Sequence, residues 1–100
     1  MNARVSSLLL LLACLLPFAR AALDPTAQFT EANRLYEQGK FAEAEPYYRQ
    51  AIEALAQPPG AHDADLATVL ENYAALLADA GRPAEARAAE ERAGALRGRL

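Results

Sequence analysis

The 100-residue chain has few of the side chains that nucleophilic catalysis requires. It contains one cysteine, Cys14, one histidine, His62, and no tryptophan. Both serines, Ser6 and Ser7, lie in the amino-terminal segment 1–21, and the only aliphatic hydroxyls beyond it belong to three threonines, none within a helical turn of the histidine. This inventory excludes a Ser/His or Cys/His catalytic pair, so we expect no enzymatic activity.

The sequence also gives little indication of a metal-binding or phosphate-binding site. The sequence His62-Asp63-Ala64-Asp65 offers one histidine and two carboxylates, whereas a structural zinc site usually has four ligands. We interpret His62 as an exposed linker residue and expect Asp63 to cap the helix that follows. Glu43 and Glu45 lie two apart on a predicted helix and are interpreted as solvated surface. The glycines form no phosphate-binding loop, and we expect neither a metal nor a cofactor.

The amino-terminal segment 1–21 has the pattern of an export signal. Arg4 provides a positive charge, and Val5–Leu16 is an apolar run that is shorter than the ~20 residues that span a bilayer. Ala19-Arg20-Ala21 fits a signal-peptidase site, which predicts cleavage after Ala21 and a periplasmic or secreted protein. The Ala- and Arg-rich composition suits a bacterial source. Two alternatives stay open: an uncleaved anchor, or a membrane-anchored lipoprotein acylated at Cys14, which ends a Leu-Leu-Ala-Cys sequence.

Basic residues are the scarcer charge. The whole chain carries a net charge of −3, and because segment 1–21 contains Arg4, Arg20 and no acidic residue, the remainder, 22–100, carries −5. Such a chain is poorly suited to nucleic acid or an anionic membrane surface. We therefore expect no nucleic-acid partner, and membrane contact only through an uncleaved signal or a lipidated Cys14. Without Cys14 no disulfide can form, and a core of this size is of marginal stability.

Apolar residues in the remainder recur at helical spacing in four segments. Asp24 followed by Pro25 predicts a helix start. Gly39, Pro58–Gly60 and Gly81 predict the ends of the first, second and third helices. No segment alternates with period two for long enough to form a strand. The sequence thus predicts an all-α domain of two antiparallel helical hairpins stacked side by side.

The two predicted hairpins repeat with one constant offset in residue number. The equivalent structural positions are Gly39 and Gly81, Ala44 and Ala86, and Ala51 and Ala93. A glycine in each turn permits the left-handed conformation that ends a helix. An alanine early in each second helix lets the paired helices approach closely.

These residues resemble the tetratricopeptide repeat. Residues 35–52 read LYEQGKFAEAEPYYRQAI and are similar to that family's turn and second helix, while residues 73–86, YAALLADAGRPAEA, are similar to a second copy. The offset from Gly39 to Gly81 exceeds the family's usual ~34 residues and, with the Pro-Pro-Gly linker, is similar to the longer kinesin-light-chain type. We delimit the domain as residues 22–100, with repeats at about 26–57 and 64–97. Gln28 and Glu31 depart from the family pattern, which has bulky apolar residues at these positions; Phe29 is expected to substitute.

The resemblance implies a short solenoid that acts as a protein–protein interaction module. In this family the first helix of each hairpin lines a concave groove that holds an extended peptide or a partner helix. The implied peptide-binding candidates are Asn33, Tyr36, Thr68, Glu71 and Asn72; Thr26 and either Phe29 or Thr30 lie on the same stripe. Family members that bind a carboxylate group of their ligand have lysine or arginine in this groove, whereas this chain has Glu37, Glu71 and Asp79. We therefore expect a neutral or basic partner rather than an acidic one.

The expected role is an exported scaffold or adaptor. The alternatives are a self-associating structural subunit, whose groove is filled by a second copy, and a lipid-anchored envelope protein. Two repeats are fewer than the three or so that are normally needed for stability. A homodimer that extends the stack is therefore a further alternative.

Overall fold

Four helices make up the part of the chain that a computed structural model describes, residues 24–100. They are α1 (Pro25–Glu37), α2 (Phe41–Leu55), α3 (Asp63–Asp79) and α4 (Pro83–Arg97), and no strand occurs among these residues. The prediction of an all-α repeat fold is confirmed. The predicted signal segment and Cys14 lie outside the described residues. Within 24–100, no helix is both long and apolar enough to cross a membrane.

The helices pair as two hairpins. The closest packing is between α1 and α2 and between α3 and α4, while α2 packs on α3 and so joins the hairpins. Helix α1 meets α3 at only a few positions, and α2 and α4 do not meet. This arrangement leaves one furrow between the first helices of the hairpins and another between their second helices.

The two hairpin turns are built identically. Gly39 and Gly81 have φ angles of 76° and 78°, a conformation that side chains with a Cβ rarely adopt. In the first turn, Gly39 N–H donates to the Tyr36 carbonyl and Lys40 N–H to the Leu35 carbonyl, each at 2.9 Å. Gly81 and the residue after it make the same two bonds in the second turn, at 3.1 and 2.8 Å. Both turns are therefore Schellman motifs, which satisfy carbonyls at the helix ends.

The helix starts agree with the sequence at one position and differ at another. Asp24 caps α1, since its carboxylate accepts a hydrogen bond from Thr26 N–H at 3.0 Å, and Pro25 follows in the first turn. The expectation that Asp63 caps α3 is wrong. The cap position is His62, which makes no side-chain capping bond, and Asp63 is the first helical residue. There its charge, with that of Asp65, counters the positive end of the helix dipole.

Small residues are buried where the paired helices pack together. Ala44 and Ala51 of α2 are fully buried, and Ala86 and Ala93 of α4 are 4% and 1% exposed. Tyr48 is fully buried at the centre of the core, with its ring centroid 6.2 Å from that of Phe29 and 5.8 Å from that of Tyr73. The position equivalent to Tyr48 in α4 is Glu90, which is exposed. The outer face of α4 is polar, as a terminal capping helix requires.

Two side chains of the described residues are unusual in their exposure. Leu100 is the only large apolar side chain that is well exposed. Gln28 is the only buried polar residue, 5% exposed, and its Oε1 accepts no hydrogen bond. Phe29, expected to fill the apolar position in place of Gln28, is instead half-buried against Tyr48. The core side of α1 thus contains an unsatisfied carboxamide oxygen.

Candidate functional site

A cleft of about 240 Å³ lies between the amino-terminal parts of α1 and α3. The first helices of the two hairpins meet there, and the end of α2 forms part of the floor. The lining residues are Pro25, Thr26, Phe29, Leu55, Asp65, Thr68 and Val69. Its floor is apolar, and its rim carries two hydroxyls and one carboxylate. We call this region the concave cleft.

At their carboxy-terminal ends the same two helices are tied together. The Tyr36 hydroxyl donates a hydrogen bond to the Asp79 carboxylate. This bond raises the pKa of Tyr36 above its ordinary value, because it stabilises the protonated phenol. The Tyr36 ring packs on Phe41, with centroids 5.5 Å apart. Tyr36 therefore joins the two repeats and does not line the concave cleft.

Asn33, predicted to contact a peptide, uses one half of its carboxamide within the fold. Its Oδ1 accepts a hydrogen bond from the Tyr48 hydroxyl at 2.5 Å. Burial raises the pKa of Tyr48 to about 12, which extends the pH range over which the phenol remains a donor. This bond links α1 to α2, and it satisfies the one polar atom of the central core tyrosine.

The three candidates on α3 gather near the end of α4. Glu71 Oε1 accepts a hydrogen bond from Arg97 Nε at 2.5 Å and forms an ion pair with Arg97 Nη2 at the same distance. Thr68 Oγ1 lies 3.3 Å from Arg97 Nη2, and Asn72 Nδ2 donates to the Thr68 carbonyl at 2.9 Å. Of the five predicted peptide-binding residues, only Thr68 lines the concave cleft.

Sequence reasoning anticipated some of the other lining residues and missed the rest. Leu55 and Val69 belong to the apolar helical pattern and were not singled out as binding residues, and Asp65 was considered only as part of a weak metal motif. Thr26 and Phe29 were placed on the correct stripe of α1, and both line the cleft. The signal that could have found Asp65 is its spacing. It lies three residues before Thr68, and residues three apart share a helix face.

Glu45 is not the solvated surface residue that the sequence suggested. Its side chain is 18% exposed, and its Oε2 accepts hydrogen bonds from the Tyr73 hydroxyl at 2.9 Å and from Arg82 Nη1 at 2.6 Å. Arg49 joins this cluster by donating to the Tyr73 hydroxyl at 3.2 Å. Burial raises the pKa of Glu45, but the bonds from Tyr73 and Arg82 outweigh it and the net shift is downward. We call these four residues the inter-repeat cluster.

A second, larger cavity lies on the opposite side, in the furrow between α2 and α4. It measures about 410 Å³, with an apolar floor and a charged rim. Its floor is formed by Ile52, Leu70, Tyr73, Leu77 and Ala89. The rim holds both signs of charge, from Arg49, Glu53, Glu85 and Arg92. This convex furrow was not predicted, because it depends on the angle at which the hairpins pack.

Nothing in the described part of the chain suggests a metal centre. No group of three or more His, Cys, Asp or Glu side chains within 24–100 is placed to hold an ion. His62 is exposed in the linker between the hairpins.

Comparison with known proteins places the two hairpins in a repeat family. Residues 26–97 match the family model described as "Tetratricopeptide repeat". No curated protein and no solved structure matches the chain.

Proposed function

Since the chain belongs to the tetratricopeptide repeat family, we propose that it is a protein–protein interaction module that holds a peptide or a partner helix in the concave cleft. Tetratricopeptide repeats are typically interaction modules rather than catalysts. The observation that carries the proposal is the cleft itself. It lies between the first helices of the two hairpins and combines the apolar floor of Phe29, Leu55 and Val69 with hydroxyls at its rim. Such a mixture suits a partner that buries a side chain while its polar groups stay paired.

The charge of α3 supports a neutral or basic partner. This helix carries four carboxylates and no basic residue. Glu71 is neutralised by Arg97, and Asp79 accepts from Tyr36. Asp65 makes no ion pair among the described residues and stands at the rim of the concave cleft. An acidic segment would meet this carboxylate without a compensating cation in the cleft lining.

We further propose that the protein is exported and acts as a scaffold or adaptor outside the cytoplasm. The support is the pattern of residues 1–21, with its short apolar run and its Ala-x-Ala site. The long offset between the repeats, which the starts of α2 and α4 reproduce, favours the kinesin-light-chain type of repeat. Intact mass of the protein expressed in a bacterium tests export: a chain that begins at Ala22 supports it, and a diacylated Cys14 would indicate the lipoprotein alternative.

Self-association is the competing role, and the described surface favours the adaptor. Residues 24–100 expose one large apolar side chain, Leu100, whereas a stable homodimer usually buries a contiguous apolar patch. We therefore expect a monomer. Sedimentation at increasing concentration tests this, and a rise in mass with concentration would favour the self-associating subunit.

The concave cleft is tested by blocking it. Peptides selected from a random displayed library would be synthesised and their dissociation constants measured by fluorescence anisotropy. Thr26 is exposed and lines the cleft, whereas its neighbour Ala27 is exposed and does not. Thr26→Trp is therefore expected to weaken binding about tenfold or more, and Ala27→Trp to leave it within about twofold. Equal effects of the two substitutions, or none, would contradict the proposal.

A further inference from the structure

We infer that the concave cleft selects a particular pair of residues in its partner: one large aliphatic or aromatic side chain with a lysine or arginine directly beside it. This inference rests on the proposed function, because it assigns a specificity to the same cleft. Two features of the lining carry it, the size of the apolar floor and the position of the single carboxylate.

The apolar floor has room for one side chain. Leu55 and Val69 are 7% and 2% exposed, so they contribute mainly their cleft-facing surface, and Phe29 is held in place by its packing on Tyr48. The volume of about 240 Å³ is below the ~300–1,000 Å³ of pockets that enclose a whole drug-sized ligand. A leucine, isoleucine or phenylalanine side chain of the partner fits this space, whereas an alanine would leave much of the apolar floor exposed to solvent.

The cleft cannot extend along the whole length of the two helices. Beyond it, towards the hairpin turns, the hydrogen bond from Tyr36 to Asp79 bridges α1 and α3. At that end of the helices, an apolar side chain of the partner would have to break this bond to enter between them. The cleft therefore recognises one apolar residue, and further specificity must come from its rim.

Asp65 is the only charged residue among those that line the cleft. It is exposed and makes no ion pair within residues 24–100. Arg97 reaches Thr68 Oγ1 at 3.3 Å, but its charge is offset by Glu71 at 2.5 Å. A cationic side chain beside the buried apolar residue is thus placed to pair with Asp65.

The positive ends of two helix dipoles lie near the cleft and weaken its preference for a cationic side chain, but they do not cancel it. Both α1 and α3 begin at this end of the molecule, and each helix start is equivalent to about +0.5 of a charge. Against them stand Asp24 at the start of α1 and Asp65 in the first turn of α3; Asp63 is 3.6 Å from Arg99 and is largely offset. The balance at the cleft mouth remains negative, by about one charge.

The test uses blocked peptides that share a Gly/Ser host and differ in one central pair: Leu-Lys, Leu-Gln, Leu-Glu or Ala-Lys. Amide NMR titrations at low salt would give the dissociation constants and the residues that shift. We expect affinity to fall about threefold from Leu-Lys to Leu-Gln and again to Leu-Glu. Ala-Lys should bind about tenfold more weakly than Leu-Lys, since most of the buried apolar surface is lost.

Two variants of equal charge change separate Asp65 from the general acidity of the protein. Asp65→Asn should abolish the preference for Leu-Lys over Leu-Gln. Glu53→Gln, which removes an exposed carboxylate from the rim of the convex furrow, should leave the preference intact. Circular dichroism would verify that both variants keep the helical content of the wild-type chain.

The outcomes distinguish the inference from the function on which it rests. If Thr26→Trp blocks library-selected peptides while Asp65→Asn changes no preference, the inference is wrong and the concave cleft remains the binding site. A Leu-Lys peptide that fails to bind at about 1 mM, the limit of weak recognition, would also overturn the inference. If Thr26→Trp has no effect on any bound peptide, the proposed function fails as well.

Discussion

Replacing Gln28 with methionine should stabilise the protein. Gln28 is 5% exposed in α1, and its Oε1 lies buried without a hydrogen-bond donor among the described residues. Methionine has a similar length and flexibility but no strong polar group, so it can occupy the same space without the desolvation cost. The substitution also restores an apolar residue at a position where the family usually has one.

The magnitude follows from the cost of the unsatisfied carbonyl. Leaving a buried acceptor unpaired costs about 1–3 kcal/mol, and methionine and glutamine have nearly equal helix propensities, so no further contribution is expected from the helix. Allowing for loss of whatever the carboxamide nitrogen contributes, we expect Gln28→Met to add about 1–2 kcal/mol to the free energy of unfolding. In a domain of this size each kcal/mol raises Tm by about 4–8 °C.

Urea and thermal unfolding followed by circular dichroism would measure the effect, with Gln50→Met as the control. Gln50 lies exposed on α2, and its replacement should change the stability by less than about 0.5 kcal/mol. Gln28→Glu should act in the opposite sense. Burial would raise the pKa of the new carboxyl, so its penalty is largest at neutral pH and disappears below about pH 4, where the carboxyl is protonated in both states. A Gln28→Met variant no more stable than wild type would refute the reasoning.

Three further substitutions address the inter-repeat cluster, the core tyrosine and the turns. Glu45→Gln should cost about 1 kcal/mol at neutral pH. Because the pKa of Glu45 is lowered in the fold, the stabilisation by its carboxylate is present above the ordinary pKa of glutamate and is lost as the pH falls through the lowered pKa, so the urea midpoints of wild type and variant should converge in acid. Tyr48→Phe should cost about 1 kcal/mol by removing the donor to Asn33, and an unchanged Tm would contradict that bond. Gly39→Ala and Gly81→Ala should each cost about 1–2 kcal/mol, because a side chain disfavours the left-handed backbone conformation. The two costs should be equal and additive, since neither new Cβ would meet an atom within 4 Å. A marked difference between the Tm values of the two variants would argue against equivalent turns.

Local signals were sufficient to predict the helices and their turns. Gly39 and Gly81 have a positive φ, a conformation that glycine adopts with little strain and other residues rarely adopt. Asp24 followed by Pro25 marks the start of a helix within two residues. Asp63 shows where such signals fail. A capping residue and a first-turn acidic residue differ by one position and serve similar electrostatic roles, so the sequence alone did not separate them.

Contacts between the hairpins could not be predicted from the sequence. Helical periodicity says which face of a helix a residue occupies, but not which residue of another helix stands opposite. Glu45 was assigned to solvent because residues two apart on a helix, here Glu43 and Glu45, point to different faces and form no carboxylate pair. Tyr73 and Arg82 approach Glu45 only once the repeats are stacked. Asn33 was placed on the correct stretch of α1, yet its bond to Tyr48 depends on how α2 packs against it.

The polar contacts between the hairpins explain where the concave cleft opens. Among residues 24–100, the side-chain bonds that cross between the hairpins join residues 36–49 to residues 73–82, at and near the hairpin turns. The cleft lies at the other end, where residues 25–29 and 55 face residues 65–69 and no such bond crosses. The hairpins are thus joined by polar bonds near their turns but not beside the cleft. A change in the angle between the repeats about these bonds would alter the width of the cleft more than the geometry near the turns.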